Sequence, residues 1–220
     1  MLLAAAAGAA EGDWLIADCQ QAGRGRLGRP WQSPVGNLHA SGLTCLRPGD
    51  PEAATLALVA AVAVCDALAI WAKDVPLHLK WPNDVLSGGA KLAGILLERA
   101  GDAVVIGIGV NLAHKPDGME RPVTSLSALG IATPEPIVFM EALADIFSAW
   151  LARWRSEGLS VVRSAWLARA HPLGTALVAN LPDGEAVQGL FNGLTQACAL
   201  RLRLADGQVR VIYAGDVFSI

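Results

Sequence analysis

Apolar residues run from Ala53 to Ala72 with only Thr55 and Asp66 interrupting them, which predicts a helix buried on every side. Asp50, Pro51 and Glu52 supply a capping side chain, a first-turn proline and a negative charge at the positive helix end, so this helix is predicted to begin near Pro51; Pro76 prevents its continuation. The run is long enough to cross a bilayer, but Asp66 and its many alanines make it a poor membrane segment and favour a core helix. Residues Asp13 to Cys19 and Leu38 to Leu46 read as strands, joined by about eighteen residues rich in glycine and charge. Three further strands are predicted at Leu77 to Trp81, Lys91 to Glu98 and Ala103 to Val110. The turns between them, at Ser87-Gly88-Gly89 and Gly101-Asp102, are too short for crossovers and predict antiparallel neighbours.

A second long helix is predicted from Thr133-Pro134-Glu135 to Glu157, ended by Gly158, and a shorter one from Ser160 to Ala170, with Trp150, Trp154 and Trp166 packing in the core. Beyond His171 the dipeptides Asp183-Gly184, Asn192-Gly193 and Asp206-Gly207 mark tight hairpins. The predicted fold class is therefore α+β: a mixed, mostly antiparallel sheet with helices over residues 1–170, and a small β-barrel over residues 171–220.

Composition narrows the function classes. The 220 residues carry a net charge of −3 and no basic tract, and no helix-turn-helix pattern precedes the first strand, so DNA binding is not expected. Mean hydropathy is +0.42, but much of that comes from alanine, and no membrane association is expected. Cys19, Cys45, Cys65 and Cys198 form no CxxC pair and predict neither a zinc site nor a disulfide framework, which fits a reduced, cytoplasmic protein.

Four stretches carry candidate chemistry. In Gln20-Gln21-Ala22-Gly23-Arg24-Gly25-Arg26-Leu27-Gly28-Arg29-Pro30-Trp31 glycines allow close backbone approach to a phosphate and arginines neutralise it. In Lys80-Trp81-Pro82-Asn83-Asp84 the proline stops strand pairing and is expected to present Asn83 and Asp84 at the rim. Lys91-Leu92-Ala93-Gly94-Ile95-Leu96 heads an apolar strand with a cation and leaves ligand space at Gly94. Gly107-Ile108-Gly109-Val110-Asn111 places two glycines inside a strand, which costs stability unless something approaches the backbone. Each alone has an ordinary structural explanation.

Together, in this order, these stretches resemble the motifs of the biotin-protein ligases, GRGRxGRxW, KWPND, KLAGIL and GxGxN, and the terminal Gly215-Asp216-Val217-Phe218-Ser219 is similar to the end of that family's SH3-like domain. The resemblance implies a class II synthetase-like catalytic domain in the form without an N-terminal DNA-binding domain. It implies ATP-dependent formation of biotinyl-5′-AMP and transfer of biotin to a lysine of a biotin carboxyl carrier protein, in acetyl-CoA carboxylase or a related carboxylase, by a monomer or homodimer. Biotin contacts are implied for Gln20, Gly23, Arg24, Gly25, Arg26, Lys91, Gly94 and Gly107, and ATP contacts for Trp31, Lys80, Asn83 and Asn111. Arg26 and Lys91 are the implied charge stabilisers, Asp84 the group that orients or deprotonates the incoming amine, and Mg²⁺ is expected to arrive with ATP and not in a protein metal cage.

Two alternatives follow from the same residues. One is lipoate or octanoyl transfer on the same fold, although the arginine-glycine-glycine-His-Asp type of signature is not seen. The other is a catalytically impaired biotin-binding homologue, because the family's Asp-Ser-Thr-Asn segment, which contacts biotin, has no counterpart before Ala4.

Overall fold

The structure is a computed structural model that describes residues 1–119 and 121–219. A short helix α1 (Leu2–Ala6) leads to strand β1 (Trp14–Ile16); β2 (Leu38–Cys45), helix α2 (Leu56–Trp71), β3 (Leu77–Lys80), β4 (Asp84–Ser87), β5 (Ala90–Ala100) and β6 (Ala103–Val110) follow. The six strands form one antiparallel sheet in the order β1-β2-β6-β5-β4-β3. Helices α3 (Pro136–Ser156) and α4 (Leu159–Leu167) pack beside α2. Strands β7 (Ala176–Asn180), β8 (Ala186–Leu194), β9 (Leu200–Arg203), β10 (Val209–Ile212) and β11 (Asp216–Ser219) form a second antiparallel sheet, ordered β10-β9-β8-β7-β11.

The apolar run at 53–72 is the central helix of the core: Leu56 through Cys65, Ala67 and Leu68 are all buried. Its regular turns start at Leu56, not at Pro51, because a short 3₁₀ turn covers Ala53–Thr55 and Asp50 is engaged elsewhere, accepting from the Arg47 amide at 3.0 Å and pairing with Arg155 at 3.3 Å. Helix α3 shows its buried stripe as Phe139, Leu143, Phe147, Leu151 and Trp154, spaced by one helical turn. Trp154 and Trp166 are core residues as predicted, whereas Trp150 is half-buried and donates to Asp66 at 2.8 Å.

Antiparallel pairing holds throughout the described strands, and the Ala103–Val110 boundaries are those predicted. The main difference is β4. The chain reverses at Trp81–Asn83 and re-enters the sheet at once, so Asp84 opens a buried strand and does not sit on a rim turn. Alternation over four residues is too short to betray that strand.

Two polar clusters fix the frame around the site. Arg155 grips Glu11 with both terminal nitrogens at 2.8 Å and also reaches the Cys45 carbonyl, tying the segment before β1 to β2 and α3. The guanidinium of Arg155 outweighs the effect of burial and holds the Glu11 carboxyl down at about 2. On the other side the Trp81 indole donates to the Cys198 carbonyl at 3.1 Å, joining the end of β3 to the second sheet.

Candidate active site

Five residues on five strands fall into one row across the first sheet. Lys80 lies opposite Asp84, Asp84 opposite Gly94, Gly94 opposite Gly109, and Gly109 opposite His39. Cross-strand partners project from the same face, so this row forms the floor of a cleft of about 980 Å³. Leu38, Ala40, Ile106, Ile108 and Val110 alternate with the row and its neighbours and enter the core.

The charged end of the row is compact. Both Asp84 oxygens are taken, by Lys80 Nζ at 2.9 Å and by Lys91 Nζ at 2.6 Å, and Asp84 is 7% exposed. Burial alone would raise the Asp84 carboxyl; the two ammonium groups, Lys91 first, outweigh it and hold the carboxyl below the usual aspartate range. Asp84 is thus an ionised clamp that sets two cations side by side at the cleft floor. Next to it Asn83 donates to the Ile95 carbonyl and accepts from Arg26 at 3.5 Å.

The middle of the row is a trough. A Cβ on Gly109 would lie 2.3 Å from Trp31 Cζ2, and one on Gly94 would lie 3.0 Å from Lys91 Nζ and 3.3 Å from the Trp31 ring. The indole therefore lies against the two glycines, with Lys91 Nζ 5.5 Å from its centroid. Gly107 lines the same cleft, but a Cβ there would meet nothing closer than the Leu96 carbonyl at an ordinary 3.5 Å, so the tight approach belongs to Gly109.

Among the described residues, three buried polar atoms in this cleft have no hydrogen-bond partner: Trp31 Nε1, Asn111 Oδ1 and His39 Nδ1. Asn111 is fixed by its Nδ2 donating to the Thr124 carbonyl at 3.0 Å. Buried, unpaired groups of this kind are costly unless a ligand or a water meets them.

The arginine-glycine loop is folded over the cleft. The Gly25 amide donates to the Arg29 carbonyl at 2.7 Å and the Trp31 amide to the Gly23 carbonyl at 2.9 Å, while Ser33 Oγ bonds both the amide and the carbonyl of Gln20 at 2.8 and 3.1 Å. Arg26 turns inward to the Gly215 carbonyl at 3.2 Å and to Asp216 at 3.4 Å, and Arg29 pairs with the same carboxylate. Arg24 points outward, paired with Glu98 at 3.4 Å on the exposed rim. Every site residue named from the sequence lines this one cleft, including Gln20, Gly23, Arg24 and Gly25.

Sequence reasoning missed several of its walls. Gly109 stood within a quoted motif without being assigned a role. His39 carried no signal beyond its place in an apolar strand. Asp216 and Phe218 arrive from β11, nearly two hundred residues from the arginine loop; the Phe218 ring lies 5.5 Å from Lys80 Nζ and 3.9 Å from Arg121 Cζ. Arg121, Pro122 and Val123 form a further wall, held to β5 by the Lys91 amide on the Pro122 carbonyl at 2.9 Å.

This architecture has close counterparts among known proteins. Residues 7–111 match the biotin/lipoate A/B protein ligase family and residues 178–219 match the biotin protein ligase C-terminal domain. The biotin–[acetyl-CoA-carboxylase] ligase of Paracoccus denitrificans is 42% identical over 93% of this chain and 89% of its own length; that of Mycobacterium tuberculosis is 35% identical over 100% and 84%. The biotin protein ligase of Aquifex aeolicus, solved in complex with biotin and ATP, superposes with a TM-score of 0.87 at 25% identity, covering 97% of this chain and 91% of that one. On these grounds the chain belongs to the biotin protein ligase family.

Proposed function

We propose that the protein activates biotin with ATP, forming biotinyl-5′-AMP and pyrophosphate, and then passes the biotinyl group to a lysine of a biotin carboxyl carrier protein. The observation that carries this reading is the cross-sheet row: two cations clamped by Asp84 at one end of a trough whose glycines let a flat ring, here the Trp31 indole, lie directly against the sheet. A carboxylate laid in that trough meets Lys91, and a nucleotide beside it meets Lys80, Asn83 and Asn111, whose Oδ1 is an acceptor awaiting a donor such as an adenine amino group.

No enzyme nucleophile is required. A biotin carboxylate oxygen attacks the α-phosphorus and pyrophosphate departs; the carrier amine then attacks the acyl carbon and AMP departs. Catalysis is positioning and charge neutralisation. In this reading Lys91 leaves Asp84 for the biotin carboxylate, which frees one Asp84 oxygen to orient the incoming amine and take its proton. Arg26 neutralises the phosphate from above. Mg²⁺ would arrive bound to the ATP phosphates and supply charge neutralisation there, without a protein cage among the described residues. Residues 1–170 hold both substrates, and residues 171–220 supply Asp216 and Phe218 as part of the roof.

Biotin-dependent exchange of labelled pyrophosphate into ATP tests the first step directly. Exchange with biotin and none with lipoate or octanoate is the expected result. Exchange driven by lipoate would move the assignment to the lipoate branch of the family, and no exchange beside tight biotin binding would make the chain a binding homologue.

A further inference from the structure

The second sheet rests on β3 and the turn after it at three points. The Phe218 ring lies 5.5 Å from Lys80 Nζ, the Trp81 indole donates to the Cys198 carbonyl at 3.1 Å, and the His171 ring stacks on His78 with centroids 6.4 Å apart and planes 13° from parallel. His78 and Lys80 stand two residues apart and project from one face of β3, opposite Leu86 and Asp84. The outer edge of β3 is closed by the chain that leads into the second sheet, where the Leu79 amide donates to the Arg169 carbonyl at 2.7 Å. The seam between the sheets therefore carries two imidazoles face to face, and neither takes part in the steps proposed above.

This seam is a poor place for an added proton. His171 Nε2 is buried and has no partner among the described residues, so the N–H that protonation requires there would meet no described acceptor. Burial first, then the charges of His78 and Lys80, hold the His171 imidazole below the ordinary histidine range. The carboxylates on the elements packed here are already engaged: Asp84 of β4 by Lys80 and Lys91, Asp66 of α2 by Arg169, and Asp216 of β11 by Arg26 and Arg29. Arg121 adds a further cation, 3.9 Å from the Phe218 ring. Lys73 and Asp74, on the turn before β3, are exposed to solvent, and the Cys198 thiol, pushed up to about 11 by burial, stays neutral.

We propose that the stacked His78 and His171 form an acid-sensitive latch between the two sheets: protonation parts the rings, and the second sheet lifts from β3. Linkage gives the direction. The ordinary histidine value is 6.5 and His171 lies below it while the seam is closed, so opening takes up a proton and acid drives it. The closed seam keeps its full advantage above pH 6.5 and loses it progressively below. Phe218 and Asp216 ride on the second sheet, so opening uncovers Lys80 and takes the carboxylate away from Arg26 and Arg29. Resting on the ligase reading, acid then raises the KM for ATP and loosens retention of the adenylate, whereas the cleft stays roofed near neutral pH.

The test follows hydrogen exchange at the Leu79 amide and the Trp81 indole N–H by NMR in wild type, His171→Gln and His78→Gln, as protection factors corrected for the pH dependence of intrinsic exchange. One histidine kept neutral in the closed seam shifts the opening equilibrium about tenfold by one pH unit below 6.5. Wild-type protection at both sites should therefore fall about tenfold between pH about 7.5 and about 5.5, while the amides of β6 keep theirs. His171→Gln should remove most of that fall; His78→Gln should lessen it, and carries the comparison if the other variant does not fold. Equal falls in wild type and both variants would overturn the latch, as would a parallel loss along β6, the mark of global acid unfolding. The KM for ATP in pyrophosphate exchange should rise by a similar factor over the same range in wild type and less in His171→Gln. The same rise in both would overturn the link to the cleft. Absence of pyrophosphate exchange at every pH is a different result, which removes the ligase reading and leaves the hydrogen-exchange comparison to decide the latch.

Discussion

The two faces of the six-stranded sheet are built from the same strands and differ completely. On β6, Ile106, Ile108 and Val110 enter the core, while Gly107 and Gly109 alternate with them toward the cleft, where Asn111 continues the line. On β2, Leu38 and Ala40 are core residues, and His39 and Ser41 face the cleft. The helix-covered face gains stability by filling space; the cleft face gives it up, with Gly94 and Gly109 covered only by the loop's Trp31 and, among the described residues, three polar atoms unpaired. The pleat lets one strand satisfy both demands, since each residue answers to one face only.

The sharpest way to break this division is to put a core-like residue on the cleft face. Gly109→Val should fill the trough or expel Trp31, and biotin-dependent exchange should fall about a thousandfold, on the order of 4 kcal/mol, with the thermal midpoint within a few degrees of wild type. A matching loss of stability would mean that Gly109 serves folding, not binding. Next in size, Lys91→Ala removes the charge that meets the ligand carboxylate and should weaken biotin binding by about 2–4 kcal/mol. Unchanged affinity by calorimetry would remove Lys91 from the pocket.

The mirror-image change, Ile106→Ala, lies on the filled face and should cost about 2–4 kcal/mol of stability in urea unfolding, with exchange activity per folded molecule within about twofold of wild type. A large activity loss in the folded variant would show that the faces are not independent. The smallest effect concerns the frame. The Glu11 carboxyl is depressed from 4.5 to about 2, so its ion pairs contribute fully above pH about 4.5 and are lost as pH falls toward about 2. Allowing for solvent screening, Glu11→Gln should cost about 1–2 kcal/mol at neutral pH and flatten the acid limb of the stability curve. Parallel acid limbs for variant and wild type would sink that account.

These differences also explain what was readable in the sequence. The filled face is periodic: the apolar run of α2 and the alternation along Ala103–Val110 gave elements whose positions hold to within a few residues. The glycines and charges of the cleft face interrupt that periodicity, but each stretch alone has an ordinary explanation; the arginine loop, Lys80, Asn83, Lys91 and Asn111 were marked by the joint order of four motifs that resemble those of the biotin-protein ligases. What could not be read were residues that violate nothing locally. His39 occupies a strand position that any side chain could hold, and Asp216 and Phe218 acquire their meaning only when β11 is brought against β3 and the loop. Strand β4 was missed because Pro82 argued for an ending where the chain makes a turn and resumes pairing.

The Arg26 to Asp216 contact has a consequence for the timing of folding. Its two residues are 190 positions apart, and Arg29 meets the same carboxylate from 187 positions away. Contacts of such separation carry a large loop-closure cost and belong to the last stage of assembly, after the local hairpins have set. A chain whose second sheet has not yet met the arginine loop can already set Lys80 and Lys91 about Asp84, but its cleft is unroofed. The shelter that would hold a reactive acyl phosphate away from water is then completed only when the two ends of the chain have met.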